Sequence, residues 1–143
     1  MANIKKFEDL PVWQDARALT RSMFVSKRKT SDFIIIDVYK QLFRSLGSVT
    51  DNIAEGFERK GRKEFIQFLN IAKASAGEAR SQVYRLEDFE IYTKEEAAAI
   101  LEKLNSISRQ LNGFIQYLKS SDIQGLRFKE EDPIYELQEN LKS

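Results

Sequence analysis

From residue 9 onward the apolar positions recur at intervals of three and four, the spacing that lines up side chains on one face of an α-helix, rather than in the strict alternation of a strand. The first run is Val12, Ala16, Leu19 and Met23, flanked by Trp13 and Phe24. It predicts a helix with Asp9 as N-cap and Pro11 in its first turn, ending near Ser26. Lys27-Arg28-Lys29 then places cations where the helix dipole favours them. A second helix opens after Ser31 or Asp32, buries Ile35, Tyr39, Leu42, Leu46, Val49 and Ile53, and closes near Gly56. The third carries Phe65, Leu69, Ala72, Ala76, Ala79, Val83 and Leu86. The fourth begins at the capping box Thr93-Lys94-Glu95-Glu96 and continues through Ala97, Ile100, Leu104, Ile107, Leu111, Phe114 and Leu118.

Each of these seams requires apolar cover, and short connections make neighbours in sequence antiparallel. The predicted fold is therefore all-α: an up-down-up-down antiparallel four-helix bundle over residues 1–119 with a short C-terminal tail, 120–143. An extended coiled coil is the competing arrangement. Turn chemistry at Gly56 and Gly61, and second apolar stripes (Phe68 with Ile71; Leu101 with Ile115), favour the bundle. After Lys119 the pattern dissolves into Ser120-Ser121-Asp122, Gly125 and the acidic run Glu130-Glu131-Asp132 ahead of Pro133. An acidic, partly mobile tail is expected there, with a short helix over Ile134–Leu141 as the element it could form. Trp13, Phe24, Phe57, Phe65 and Phe68 are expected in the core. Ile34-Ile35-Ile36 and the doubled stripes exceed what one small bundle can bury, which points to assembly.

Composition narrows the chemistry. The 143-residue chain has no Cys and no His, which removes disulfides, thiolate catalysis, the commonest general base and every Ser-His or Cys-His nucleophile pair. An enzyme would have to rest on carboxylates, Lys or Tyr; a non-enzymatic protein with no cofactor and no metal is expected. No apolar run approaches a membrane span, and Met1–Asp9 lacks the apolar core of a secretory signal, so a cytoplasmic protein without membrane attachment is expected. The net charge of +1 conceals an asymmetry. Residues 1–85 carry 16 Lys+Arg against 10 Asp+Glu, whereas residues 86–143 carry 7 against 12. Such polarity suits either a polyanion-facing first half or complementary packing between subunits.

Beside the apolar seam of the second helix runs a polar one, Gln41, Ser45, Ser48, Asn52 and Glu55, answered on the third helix by Ser75, Glu78, Gln82 and Arg85. Folding about the Glu58–Lys60 turn sets Ser45 level with Ser75 and Gln41 level with Glu78, with Arg44 in reach of Glu78. Mutual satisfaction between two closely packed helices is the favoured account. A subunit interface comes second, and a metal or ligand site on Glu55 and Glu78 third. The turn itself, Arg59-Lys60-Gly61-Arg62-Lys63, gathers four cations around a glycine, as backbone-phosphate contacts require, although a solvated charged turn is the commoner explanation. Arg17 with Arg21, and Lys40 with Arg44, add basic pairs on the outer faces of the first two helices. No aromatic is interleaved with the turn to stack bases. The acidic Glu130–Asp132 run is expected to fold onto this turn and compete with an anionic partner.

Phe7-Glu8-Asp9-Leu10-Pro11-Val12-Trp13-Gln14, then Gln41, Arg44, Ser48 and Asn52-Ile53-Ala54-Glu55-Gly56-Phe57, then Lys63-Glu64-Phe65-Ile66-Gln67-Phe68-Leu69, Ile71-Ala72, Ser75 and Glu78 form an ordered set. It resembles the four-helix-bundle proteins encoded in intervening sequences of bacterial large-subunit ribosomal RNA, over roughly residues 7–118. Their fold is similar to that of the accessory variability determinant of diversity-generating retroelements. The resemblance implies a homo-oligomer of the five-subunit, barrel-shaped kind, a basic surface for RNA or DNA and, by analogy with the retroelement relatives, a protein partner. It places Arg44, Ser48, Asn52, Glu55, Gly56, Ser75 and Glu78 at motif positions without assigning any of them a catalytic role.

Overall fold

The computed structural model describes residues 3–59, 61–120 and 128–129. Four helices follow in order: α1 (Pro11–Val25), α2 (Phe33–Glu58), α3 (Arg62–Asp88) and α4 (Lys94–Ser120). α1 packs on α2 and α4, α2 on α3 and α3 on α4, which closes the expected up-down-up-down bundle. The core is the predicted seam set almost residue for residue. Leu42, Ile53, Leu69, Leu86, Leu104 and Leu111 are fully enclosed.

The helix ends follow from local chemistry, with one correction. Asp9 does not cap α1: Phe7–Asp9 forms a short 3₁₀ turn, Leu10 occupies the N-cap position, and Pro11 stands first in the helix, where its missing N–H costs nothing. Leu10 is buried instead, tying the turn to the core. Asp32 caps α2, its Oδ1 accepting from the N–H groups of Ile34 (2.8 Å) and Ile35 (3.3 Å). The capping box opens α4 as read, with Glu96 N–H donating to Thr93 Oγ1 (3.1 Å) and Thr93 N–H to Glu96 Oε1 (3.0 Å). α2 continues through Gly56 to Glu58 rather than stopping at the glycine.

Gly56 has a packing role. A Cβ there would lie 2.8 Å from Phe68 Cβ and 2.9 Å from Phe65 Cδ1, because the first turns of α3 close directly onto α2. Phe68 Cβ is fixed to the α3 backbone and cannot swing away. Gly56→Ala is therefore expected to destabilise the bundle by about 1–2 kcal/mol, even after the roughly 1 kcal/mol that Ala gains over Gly inside a helix. Urea unfolding followed by circular dichroism checks this, and an unchanged or raised midpoint would contradict the close approach.

At the end of the bundle that holds the α2–α3 turn, a two-residue strand, β1 (Asn3–Ile4), pairs antiparallel with β2 (Phe128–Lys129). The segment just before the acidic run is thus joined to the chain's first residues. Residues 121–127 and 130–143, including Glu130–Asp132 and the expected helix over Ile134–Leu141, lie outside the described residues, as does Lys60.

α1 spans 15 residues and α2 26, so α1 runs about 22 Å beside a helix of about 39 Å. The start of α2 is left uncovered. Phe33 is 86% exposed and Ile34 65%, and with Phe89 at the end of α3 they line one surface hollow. Of the five aromatics expected in the core, Phe57 and Phe65 are buried, while Trp13 and Phe68 are half-buried. Phe24 corrects the expectation: it is 63% exposed, because it stands in the last turn of α1 beside, not on, the face that buries Ala16, Leu19 and Met23.

Candidate nucleic-acid interface

The polar seam forms between α2 and α3, in a register different from the one expected. Ser48, not Ser45, meets Ser75, their hydroxyls sharing a 2.7 Å hydrogen bond. Asn52 Nδ2 donates to the Ser48 carbonyl (2.7 Å) and to Ser48 Oγ (3.0 Å). Gln41 accepts from Arg85 (3.2 Å) instead of facing Glu78 and donates to Asp37 (3.1 Å). Among the described residues no ion pair joins Arg44 to Glu78. The physical reason is the Gly56 contact: seating Phe65 and Phe68 against that glycine slides α3 by about one turn relative to a simple fold about the connection. Ser45, Ser75 and Gln82 are buried, and the Gln82 side-chain oxygen has no hydrogen-bond partner among the described residues. With Ser48 level with Ser75, Glu78 lies level with Ser45, which is ten residues or about 15 Å from Glu55 along α2. Those two carboxylates cannot share one ion. Among the described residues no group of three metal-ligating side chains comes together.

The α2–α3 turn offers less positive charge than its composition suggests. Arg59 Nη2 lies 2.9 Å from Glu55 and its Nη1 3.5 Å from Glu64, while its guanidinium sits 5.3 Å from the centre of the Phe68 ring. Arg62 is half-buried and Lys63 exposed.

A second basic region emerges where α1 crosses α2. Two hollows share Thr20, Phe24 and Phe43 and so form one continuous groove. Its lower stretch, about 500 Å³, is lined by Trp13, Arg17 and Arg21 along with Asp51. The upper stretch, about 700 Å³, is lined by Lys27, Lys29, Lys40 and Tyr39, with no carboxylate. The i,i+4 pairing of Arg17 with Arg21 and the facing Lys40 thus converge on one surface, although they are 19 to 23 positions apart in sequence. Arg44, one turn beyond Lys40, is exposed but lies outside both hollows. In the sequence Lys27 and Lys29 read only as cations ending a helix and Tyr39 as a member of the buried seam of α2, while Phe43 carries no signal of its own; the aromatic component of the site comes from the meeting of Tyr39 and Phe43 with Phe24.

The segment that carries Lys27 and Lys29 is pinned on both sides. Arg28 makes two bonds to the Glu96 carboxylate, at 2.9 and 2.8 Å, and its backbone N–H donates to Tyr39 Oη (3.4 Å). The Thr93 backbone N–H, and after it Arg28, hold the Glu96 carboxyl below the usual carboxylate range; Glu96 in turn raises Arg28. Burial, with a smaller contribution from Tyr39, pushes the neighbouring Tyr92 phenol up to about 12. The Arg28–Glu96 pair therefore stays charged and the Tyr92 phenol neutral across physiological pH. Arg28 is thereby turned toward α4, while Lys27 lies over Phe24 (6.0 Å) and Tyr39 (5.6 Å).

Residues 8–113 match the family model described as "23S rRNA-intervening sequence protein". Among solved structures the chain is similar to a protein of unknown function from the S23 ribosomal protein family of Bacteroides thetaiotaomicron. That similarity has a TM-score of 0.59 and 24% identity, covering 75% of this chain and 96% of that one, and it speaks to the fold alone. No curated protein matches the chain. Among the described residues no helix is long and apolar enough to cross a membrane.

Proposed function

The chain belongs to the 23S rRNA-intervening sequence protein family, and from that premise we propose that it is a non-enzymatic, self-associating helical scaffold of the cytoplasm that binds RNA or DNA through the cationic rim of the α1–α2 groove. One observation carries the proposal: Arg17, Arg21, Lys27, Lys29 and Lys40, from two helices and their connection, border a single groove whose upper stretch contains no carboxylate. Repeated phosphates favour such a row of cations through release of condensed counterions, with no base-reading geometry needed. Self-association rests on separate ground. A chain that encloses its core this completely yet leaves Phe33, Ile34 and Phe89 on one surface gains most by covering them with another copy. The five-subunit ring implied by the family resemblance is one such assembly.

Binding of generic RNA should weaken steeply with salt. Neutralising about five phosphates gives a log-log slope of about −3 to −5, measurable by fluorescence anisotropy alongside solution mass. A flat response would leave a protein-interaction module without a nucleic-acid role, a reading favoured by the same exposed apolar surface and by the neutralised Arg59 turn.

A further inference from the structure

The rim accounts for phosphate affinity but leaves the floor of the groove unexplained. Phe24 is 63% exposed, its ring edge-on to Phe43 (5.9 Å between centres, 79°), and Phe43 in turn stacks against Tyr39 (6.4 Å, 23°). Lys27 lies 6.0 Å from the ring centre, yet the residue stays largely open to solvent, because α1 ends one residue later and does not cover it.

We infer that the upper α1–α2 groove takes an unpaired base of a single-stranded nucleic acid, stacked on Phe24, with the adjoining phosphates held by Lys27, Lys29 and Lys40. This assignment rests on the nucleic-acid reading above and specifies the form of nucleic acid. Three observations converge on it. The floor is aromatic, and every base presents a π-face that can stack there without hydrogen-bond readout. Every charged residue that lines the upper groove is a cation, and of these only Arg28 is committed to a carboxylate, Glu96, so charge complementarity selects an anionic partner. The stacking surface is a single exposed ring at the last turn of α1, which can take one unpaired base but not a base whose two faces are already covered. A duplex, with both faces of each base already stacked, could touch the rim and leave Phe24 bare. The connection is also braced by Arg28 to α4 and by its backbone to Tyr39, so Lys27 and Lys29 are positioned before any ligand arrives.

The test titrates the full chain with labelled oligo(rA) of about 15 nucleotides and with a duplex of the same length at low salt, comparing wild type, Phe24→Ala and Phe24→Tyr. Oligo(rA) should bind wild type more tightly than the duplex does. Phe24→Ala should weaken oligo(rA) about tenfold or more and leave the duplex unchanged, while Phe24→Tyr, which keeps the ring, should bind as wild type. Equal losses for both nucleic acids, no loss for either, or an oligo-aspartate peptide that displaces the label as well as unlabelled oligo(rA) does, would overturn the assignment while leaving phosphate binding intact. If wild type binds neither nucleic acid, the broader reading fails and the assignment with it.

Discussion

Phe65→Ala is expected to be among the most damaging single substitutions in this chain, lowering stability by about 3–5 kcal/mol. Phe65 is fully buried near the α2–α3 turn, edge-on to Phe57 of α2 (6.1 Å, 89°) and to Phe114 of α4 (5.0 Å, 73°). One ring therefore joins three helices. Its removal opens a cavity between Phe57 and Gly56 of α2 and Phe114 of α4, the groups that Phe65 packs against. The melting temperature should fall by about 10 °C or more, and the urea midpoint should shift in parallel. Phe24→Ala supplies the contrast: the same side chain, largely solvated, should cost well under half as much. A loss at Phe65 no larger than that at Phe24 would mean that the three rings do not form the joint described here.

The largest expected effect on binding comes from the groove rim. Replacing Arg17, Arg21 and Lys40 together by Gln removes three phosphate contacts and should lower the salt slope by about 2 and the affinity for single-stranded RNA at about 0.1 M salt by roughly two orders of magnitude. All three side chains are exposed, so folding should survive. Arg17 alone carries a modest structural cost, since its guanidinium lies 5.5 Å from the Trp13 ring. Arg59→Gln is the informative companion, because Arg59 is already paired with Glu55 and Glu64 and should change affinity only a few-fold. The opposite ranking, with Arg59→Gln more harmful than the triple variant, would relocate the interface to the α2–α3 turn.

Much of the fold is legible in the sequence. The four seams, the start of α2 at Ser31 or Asp32 and the Thr93–Glu96 capping box are consequences of spacing within one helix, and such spacing is a local property that a sequence displays directly. The Asp9 cap fails because a tertiary contact overrides it. Leu10 is apolar, and burying it requires the chain to tighten into a 3₁₀ turn that hands the cap position to Leu10 itself.

The candidate site was legible only in pieces. Arg17, Arg21 and Lys40 stand out in the sequence as members of basic pairs, whereas Phe24 reads as core and Lys27 and Lys29 as a helix end. Their union needed the crossing of α1 over α2, and the brace from Arg28 to Glu96 spans 68 positions. The polar seam tells the same story in register: Ser48, Asn52 and Ser75 were recognised as partners for a neighbouring helix, but which serine met which was set by the seating of Phe65 and Phe68 on Gly56.

By itself, then, the order of residues determined which face each helix buries, where most helices begin and that a bundle results, because a 3.6-residue period and a capping side chain act within a few positions. Only the tertiary structure decided the slide of α3 along α2, the exposure of Phe24 and the convergence of separate cations on one groove. Those outcomes depend on how bulky side chains of different helices interlock, and no interval along the chain encodes that contact.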